Sequence, residues 1–195
     1  MNEFDYTPKK MKPSVSFING PDLINQRTVC DFWQWSFSDL LQNTTRGVLA
    51  EYIVAVLLVA EKKIRNPWLA FDLQLPDGRT IEVKTMSLLQ AWAQKTLSKP
   101  RVILSPTRRW DPKTGEMAEK PTLNADLYIF CFFNGTNHDT ANPLDLDQWE
   151  FFAFTKKGIM ELLKGKKSIS LKTLERQGIK SVKAHELKKE VMQLK

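Results

Sequence analysis

Cysteine and histidine are scarce in this sequence, with two of each among 195 residues. Cys30 and Cys131 are too few for a disulfide framework, and such sparse thiols suit a reducing, cytoplasmic setting. Cys131 lies within YIFCFF and reads as a buried apolar residue. His138 and His185 stand apart in polar contexts, so neither zinc-ligand spacing nor a histidine-activated nucleophile is visible. The sequence has no G-x-x-x-x-G-K-[ST] loop, so no ATP-driven motor is expected within this chain. Its longest apolar run is interrupted by Glu51 and falls short of the ~20 residues that span a bilayer, so no membrane association is expected. The first residues, MNEFDYTPKKMKPS, are charged and lack the apolar stretch of a signal peptide. Without internal repeats or a Gly/Ser-rich linker, residues 1–28 read as an irregular arm. Residues 29–195 read as one domain with a basic C-terminal segment from about 155.

Apolar residues make up 42% of the chain, enough for a sizeable core in a chain of this length. The charge is unevenly distributed. Residues 155–195 hold 12 Lys/Arg against 4 Asp/Glu, whereas the remainder is nearly balanced. That asymmetry suits contact with a polyanion, nucleic acid before membrane, and equally a solvated lysine-covered face.

Periodicity predicts a helical region from about Cys30 to Lys63, broken near Asn43 to Gly47. A hairpin over 70–85 follows, then a helix from about Ser87 to Ser98 and a short strand in RVILS. ADLYIFCFF is β-rich and continuously apolar, which predicts a strand buried on both faces. WEFFAFT reads as another strand and KKGIMELLK as a short helix. The fold class expected is α/β. Trp33, Trp35 and Trp92 fall on helical segments and are expected in the core.

The hairpin FDLQLPDGRTIEVKT carries the chemistry. A three-residue Pro76-Asp77-Gly78 loop, a type I turn closed by a left-handed glycine, pairs Leu75 with Arg79. Leu73 then faces Ile81, Phe71 faces Val83, and Asp72 lies opposite Glu82, with Lys84 one step along on the same face. A two-residue Asp77-Gly78 loop would mix apolar and polar faces, so burial argues against it. Directly opposed carboxylates destabilise a sheet unless compensated. A divalent cation compensates them, and hard oxygen donors without nearby His or Cys favour Mg2+ or Mn2+. The plainer alternative is an exposed hairpin whose acids pair with Lys84 and Arg79.

Glu51 is the only charge between Val48 and Ala60, so a metal, a base or a hydrogen-bond network is expected to meet it. An acid favoured by the helix dipole is the alternative. Ser87-Leu88-Leu89-Gln90 matches a helix-capping box, which competes with any catalytic reading of Gln90. Arg108, Arg109 and Lys113 flank Trp110 in a polar loop, a composition suited to phosphate contact and base stacking, and also to an ordinary surface loop. Asp145, Asp147 and Glu150 lack the glycine and ligand count of a calcium loop.

Glu51 on a helix, Asp72 on a strand, Glu82-Val83-Lys84 on the next strand and Gln90 on a following helix resemble the PD-(D/E)xK nuclease superfamily. The match spans about Arg46 to Trp92, and the later strands fit. RGVLAEYIVA, LQAW and NPLDLDQWEFF are similar to bacterial members whose role is unassigned. The literal Pro76-Asp77 lies on the turn tip, so Asp72 takes the family's aspartate position, without the preceding proline. The resemblance implies a restriction-endonuclease-like core, αβββαβ, with a mixed central sheet flanked by helices. It also implies Mg2+-dependent hydrolysis of DNA phosphodiesters, with Mn2+ able to substitute, in restriction, phage defence or DNA repair. Asp72 and Glu82 would hold the metal with the Val83 carbonyl. Lys84 would position a water, Glu51 would hold a further water or a second ion, and Gln90 would orient Lys84 or the phosphate. Double-strand cutting would favour a homodimer. The alternative is a non-catalytic DNA-binding protein on a nuclease fold, and RNA cleavage is also compatible with the motif.

Overall fold

The computed structural model describes residues 8–61, 64–110 and 114–194. The chain divides into two compact units that part in sequence between Leu40 and Leu41.

In the first unit, Ser16 bridges Thr28, and α1 (Asp22–Asn25) is a single turn. A longer helix, α2 (Val29–Phe37), starts on a capping box. Its cap residue Thr28 accepts from the Asp31 amide, and the Asp31 carboxylate accepts from the Thr28 amide at 2.7 Å. Trp33 and Trp35 are 38% and 84% exposed, against the expectation of burial.

The second unit begins with α3 (Asn43–Leu57), capped by the Gln42 side chain, which accepts from the Thr45 amide at 2.9 Å. The helical region is therefore interrupted just before Asn43. The end of α3 is sharp. Ala60 donates to the Ala55 carbonyl and Val59 to that of Val56, a double closure that needs a left-handed residue at Val59, with φ of 59°. Glycine usually occupies such a position, and valine there costs about 1–2 kcal/mol.

After α3 come β1 (Leu73–Gln74), β2 (Thr80–Ser87), β3 (Arg101–Ile103), β4 (Leu127–Phe133) and β5 (Trp149–Thr155). Then follow α4 (Lys156–Leu163), β6 (Ser168–Ser170), α5 (Leu171–Arg176) and α6 (Ala184–Gln193). The central sheet has the order β1-β2-β4-β5, antiparallel at both ends and parallel between β2 and β4. It is a mixed sheet flanked by helices in an α/β unit.

Every residue of β4 is buried, and its side chains alternate between two cores. Leu127, Ile129, Cys131 and Phe133 pack with Trp149 and Phe151, under Ala50, Ile53 and Val54 of α3 and Leu187 and Val191 of α6. Tyr128, Phe130 and Phe132 pack on the opposite face with Phe152 and Phe154, under α4, α5 and the β3–β6 pair. Burial on both faces explains the unbroken apolar run. The buried tryptophan is Trp149, whose indole N–H donates to the Pro143 carbonyl at 3.0 Å.

Three expectations require correction. First, the segment from Ser87 to Ser98 is not helical, and Trp92 on it is 56% exposed. Local side-chain bonds replace the helical ladder: Ser87 Oγ donates to the Leu89 carbonyl at 2.7 Å, and the Gln90 amide donates to Gln94 Oε1 at 2.7 Å. Second, RVILS forms β3, but β3 pairs only with β6 in a separate two-stranded sheet. The crossover from β2 to β4 thus carries no helix among the described residues. Third, Phe71 packs with the second core while Val83 belongs to the first, so the two do not share a face. Strand β1 begins only at Leu73, so no ladder pairing fixes the side on which Phe71 lies.

Candidate active site at the free edge of strand β2

The turn between β1 and β2 has the expected register. Leu73 pairs with Ile81, Leu75 donates to the Arg79 carbonyl at 2.9 Å, and Gly78 takes φ of 92°. The Asp72 amide also donates to the Ile81 carbonyl at 2.9 Å, a bond offset by one residue from the Leu73–Ile81 pair, so the regular register ends at Leu73. There the main-chain pairing stops. The Val83 amide donates to Asp72 Oδ2 at 2.7 Å, so the aspartate side chain replaces a ladder carbonyl. Period two directs the main-chain groups of Val83 the same way as those of Ile81, toward the edge that β1 has vacated.

Asp72, Glu82 and Lys84 line one cleft of about 350 Å³ at this edge. Leu69, Ala70 and Leu104 supply apolar wall. Ser105, Thr107, Thr122, Asn124 and Tyr128 supply polar groups. Lys84 Nζ donates to Glu82 Oε1, an ion pair along one face of β2. Burial, then the charges of Glu82 and Glu51, push the Asp72 carboxyl up to about 7, against the opposing bond from Val83 and the charge of Lys84. Such a site is short of positive charge. Burial, together with the nearby Glu82 charge, also pushes the Tyr128 hydroxyl up to about 12.

Glu51 is met by a base. Arg65 donates through Nε and Nη2 to the two carboxylate oxygens, the latter at 2.8 Å, and the pairing raises the Arg65 pKa further. Arg65 was not legible in advance, because it lies past the expected end of the helical region, in a segment to which no local pattern assigns a partner. Tyr128 was hidden too, since YIFCFF signals burial and only strand parity assigns its ring to the face of Glu82.

The two aspartates of the hairpin separate cleanly. Asp77 sits on the turn, where Oδ1 accepts from the Arg79 amide at 3.0 Å and Oδ2 from its guanidinium at 2.9 Å. These bonds hold the Asp77 carboxyl below the usual range. Gln90 does not line the cleft of Asp72. It lies in a neighbouring cleft with Asn43, Arg46, Ser87, Lys99 and Arg101. Arg108 and Arg109 are exposed on an arm whose base, the Thr107–Thr122 bridge, borders the Asp72 cleft. Lys113 lies outside the described residues.

Among the described residues, no three His, Cys, Asp or Glu side chains are already gathered around one ion position. Glu51 is turned to Arg65 and Glu82 to Lys84. The donors nonetheless fit a hard divalent cation: carboxylate oxygens at a charge-deficient edge, with Asp72 raised by its acidic neighbours.

A cleft of acids and a lysine on a strand edge suits phosphodiester chemistry, and comparison with known proteins gives the class as a nuclease family. The sequence model of bacteriophage T4 endonuclease IV matches residues 29–173, and the chain belongs to that family. No curated protein matches the chain. The matched span contains each of the residues discussed at the Asp72 cleft, and none of α6. No helix among the described residues is long and apolar enough to cross a membrane.

Proposed function

We propose that the chain is a divalent-metal-dependent DNA endonuclease of the restriction-endonuclease-like type, hydrolysing phosphodiester bonds at the free edge of β2. The observation that carries this reading is the convergence of Asp72, Glu82 and Lys84 in one cleft where β1 leaves β2. Membership of an endonuclease family supports it independently.

Asp72 and Glu82 are the proposed ligands for Mg2+ or Mn2+, with the carbonyl of Val83. A bound cation supplies charge neutralisation at the phosphate and lowers the pKa of an attacking water. The bond from the Val83 amide holds the Asp72 carboxylate in one orientation. Lys84 exchanges its contact with Glu82 for the scissile phosphate or the attacking water, placing its positive charge where negative charge develops. Glu51, held by Arg65, adds negative potential behind Asp72. Gln90 contributes from the neighbouring cleft, and Arg108, Arg109 and Lys113 are proposed backbone contacts of the DNA.

The test is incubation of circular DNA, as supercoiled plasmid and as single strand, with protein and Mg2+, with EDTA, and with Lys84→Ala. Metal-dependent nicking that Lys84→Ala abolishes is the expected result. Salt-sensitive DNA binding without cleavage would instead make the chain a binding module on a nuclease fold.

A further inference from the structure

The edge of β2 carries two clefts of opposite character. The first holds Asp72, Glu82 and Lys84, and the second, of about 320 Å³, is lined by Arg46, Lys99 and Arg101 with no carboxylate. Lys84 faces the first cleft, and the adjoining Thr85, Met86 and Ser87 line the second. At about 3.3 Å of strand rise per residue, Glu82 of the first cleft and Thr85 of the second are separated by roughly 10 Å along β2. That distance is within the reach of one short stretch of nucleic-acid strand.

The second cleft is built rather than incidental. Arg46 is 3% exposed, and its guanidinium donates to the Leu41 carbonyl and to Asn43 Oδ1, both at 2.7 Å, and to the Leu89 carbonyl at 3.4 Å. Those bonds fix a positive charge at the cleft wall while Lys99 and Arg101, both exposed, remain available to a ligand. Asn43 belongs to the first turn of the 15-residue helix α3, so the helix dipole adds to the same sign of potential. The Gln90 amide donates to Ser98 Oγ at 3.1 Å, yet its Oε1 is buried without a hydrogen-bond partner. That open acceptor needs a donor, which a phosphodiester lacks, so it takes no part in holding a phosphate.

We infer that this second cleft is a backbone-phosphate subsite, in which Lys99 and Arg101 anchor a phosphate flanking the scissile one, over the fixed positive charge of Arg46. The inference rests on the proposed endonuclease reading and specifies how that site holds its substrate. Cation-seeking and anion-seeking clefts side by side on one strand edge suit a single polyanion that spans both. The scissile phosphate lies over the carboxylates, and a flanking phosphate is held directly by cations. The subsite sets register along the strand, carries no sequence information of its own, and acts on binding rather than on the chemical step.

The test is fluorescence anisotropy of a labelled DNA oligonucleotide, offered as duplex and as single strand, in EDTA across a salt series. Mg2+-dependent cleavage of circular DNA is read in parallel. The K99Q/R101Q variant is expected to bind about tenfold more weakly at low salt, with the slope of log K against log salt smaller by about 1.5. Its KM for cleavage rises by a similar factor while kcat at saturating DNA stays within about twofold. The K9Q/K10Q variant makes the same charge change in the first unit and is expected to leave the slope unchanged. Wild-type affinity and slope in a K99Q/R101Q protein of normal melting temperature would overturn the subsite, as would equal losses in both variants. Should K99Q/R101Q not fold, K99Q alone changes a residue ahead of β3 and is expected to lower the slope by about half as much. Failure of the nuclease reading shows itself elsewhere, as wild-type protein that leaves DNA intact in Mg2+. The anisotropy comparison still decides the subsite in that case.

Discussion

Asp72 and Asp77 belong to one hairpin and have opposite fates. Asp77 lies at the tip, bonded to the amide and guanidinium of Arg79, which in turn donates to the Leu194 carbonyl at 3.0 Å, just beyond α6. Its negative charge is matched, its carboxyl is lowered, and it ties a turn to a helix end. Asp72 lies where the strands part, bonded to one main-chain amide and facing two further acids. Its carboxyl is raised to about 7. The difference teaches that proximity to a Pro-Asp signature says little about chemistry. What matters is whether the fold matches an acid with a base or leaves it facing other acids.

The sharpest way to break this comparison is to neutralise each acid. Asp72→Asn is expected to reduce Mg2+-dependent cleavage by about 10²–10³-fold, with DNA binding retained in EDTA. Asp77→Ala is expected to cleave within about twofold of wild type. The reverse pattern in folded proteins would move the site to the turn.

The pH dependence of cation binding comes next. Asp72 must lose its proton to hold Mg2+, so affinity measured by calorimetry should weaken by about tenfold per unit as pH falls below about 7. Asp77 is already ionised there and should contribute nothing to that dependence.

Stability in EDTA supplies a third comparison. The Asp72 carboxyl rises on folding from 3.8 to about 7, so the folded state binds the extra proton and stability falls as pH increases through that window. Asp72→Asn should therefore raise the melting temperature at pH 8, by an amount corresponding to roughly 1–3 kcal/mol, and leave it unchanged near pH 3. The smallest effects concern the partners. Arg79→Gln should return the Asp77 carboxyl upward toward its ordinary value, and Arg65→Gln, by leaving Glu51 unmatched, should move Asp72 further up. Carboxylate titration by NMR reads both directions.

Much of the hairpin was legible because two local rules agree. The turn residues set the loop length, and period two then distributes Leu73, Leu75, Ile81 and Val83 to one core. The same rule failed at Phe71, which precedes β1, where no ladder pairing held the alternation. The segment after Ser87 carried a helix-capping pattern, but Gln94 and Ser98 bond back to it and stabilise a loop instead. That places Gln90 beside Arg101, in a different cleft from Asp72.

By itself, the sequence determined the pairing of Leu73 with Ile81, the place of Glu82 and Lys84 on one face of β2, and the burial of the YIFCFF strand. Each follows from local geometry, a turn and an alternation that hold wherever the segment is placed. Tertiary structure alone decided that Glu51 meets Arg65, that Tyr128 walls the acid cleft, and that Arg46, Lys99 and Arg101 gather next to it. Those meetings join residues far apart in the chain, and only the packing of α3, β3 and the crossover onto the β2 edge brings them within reach.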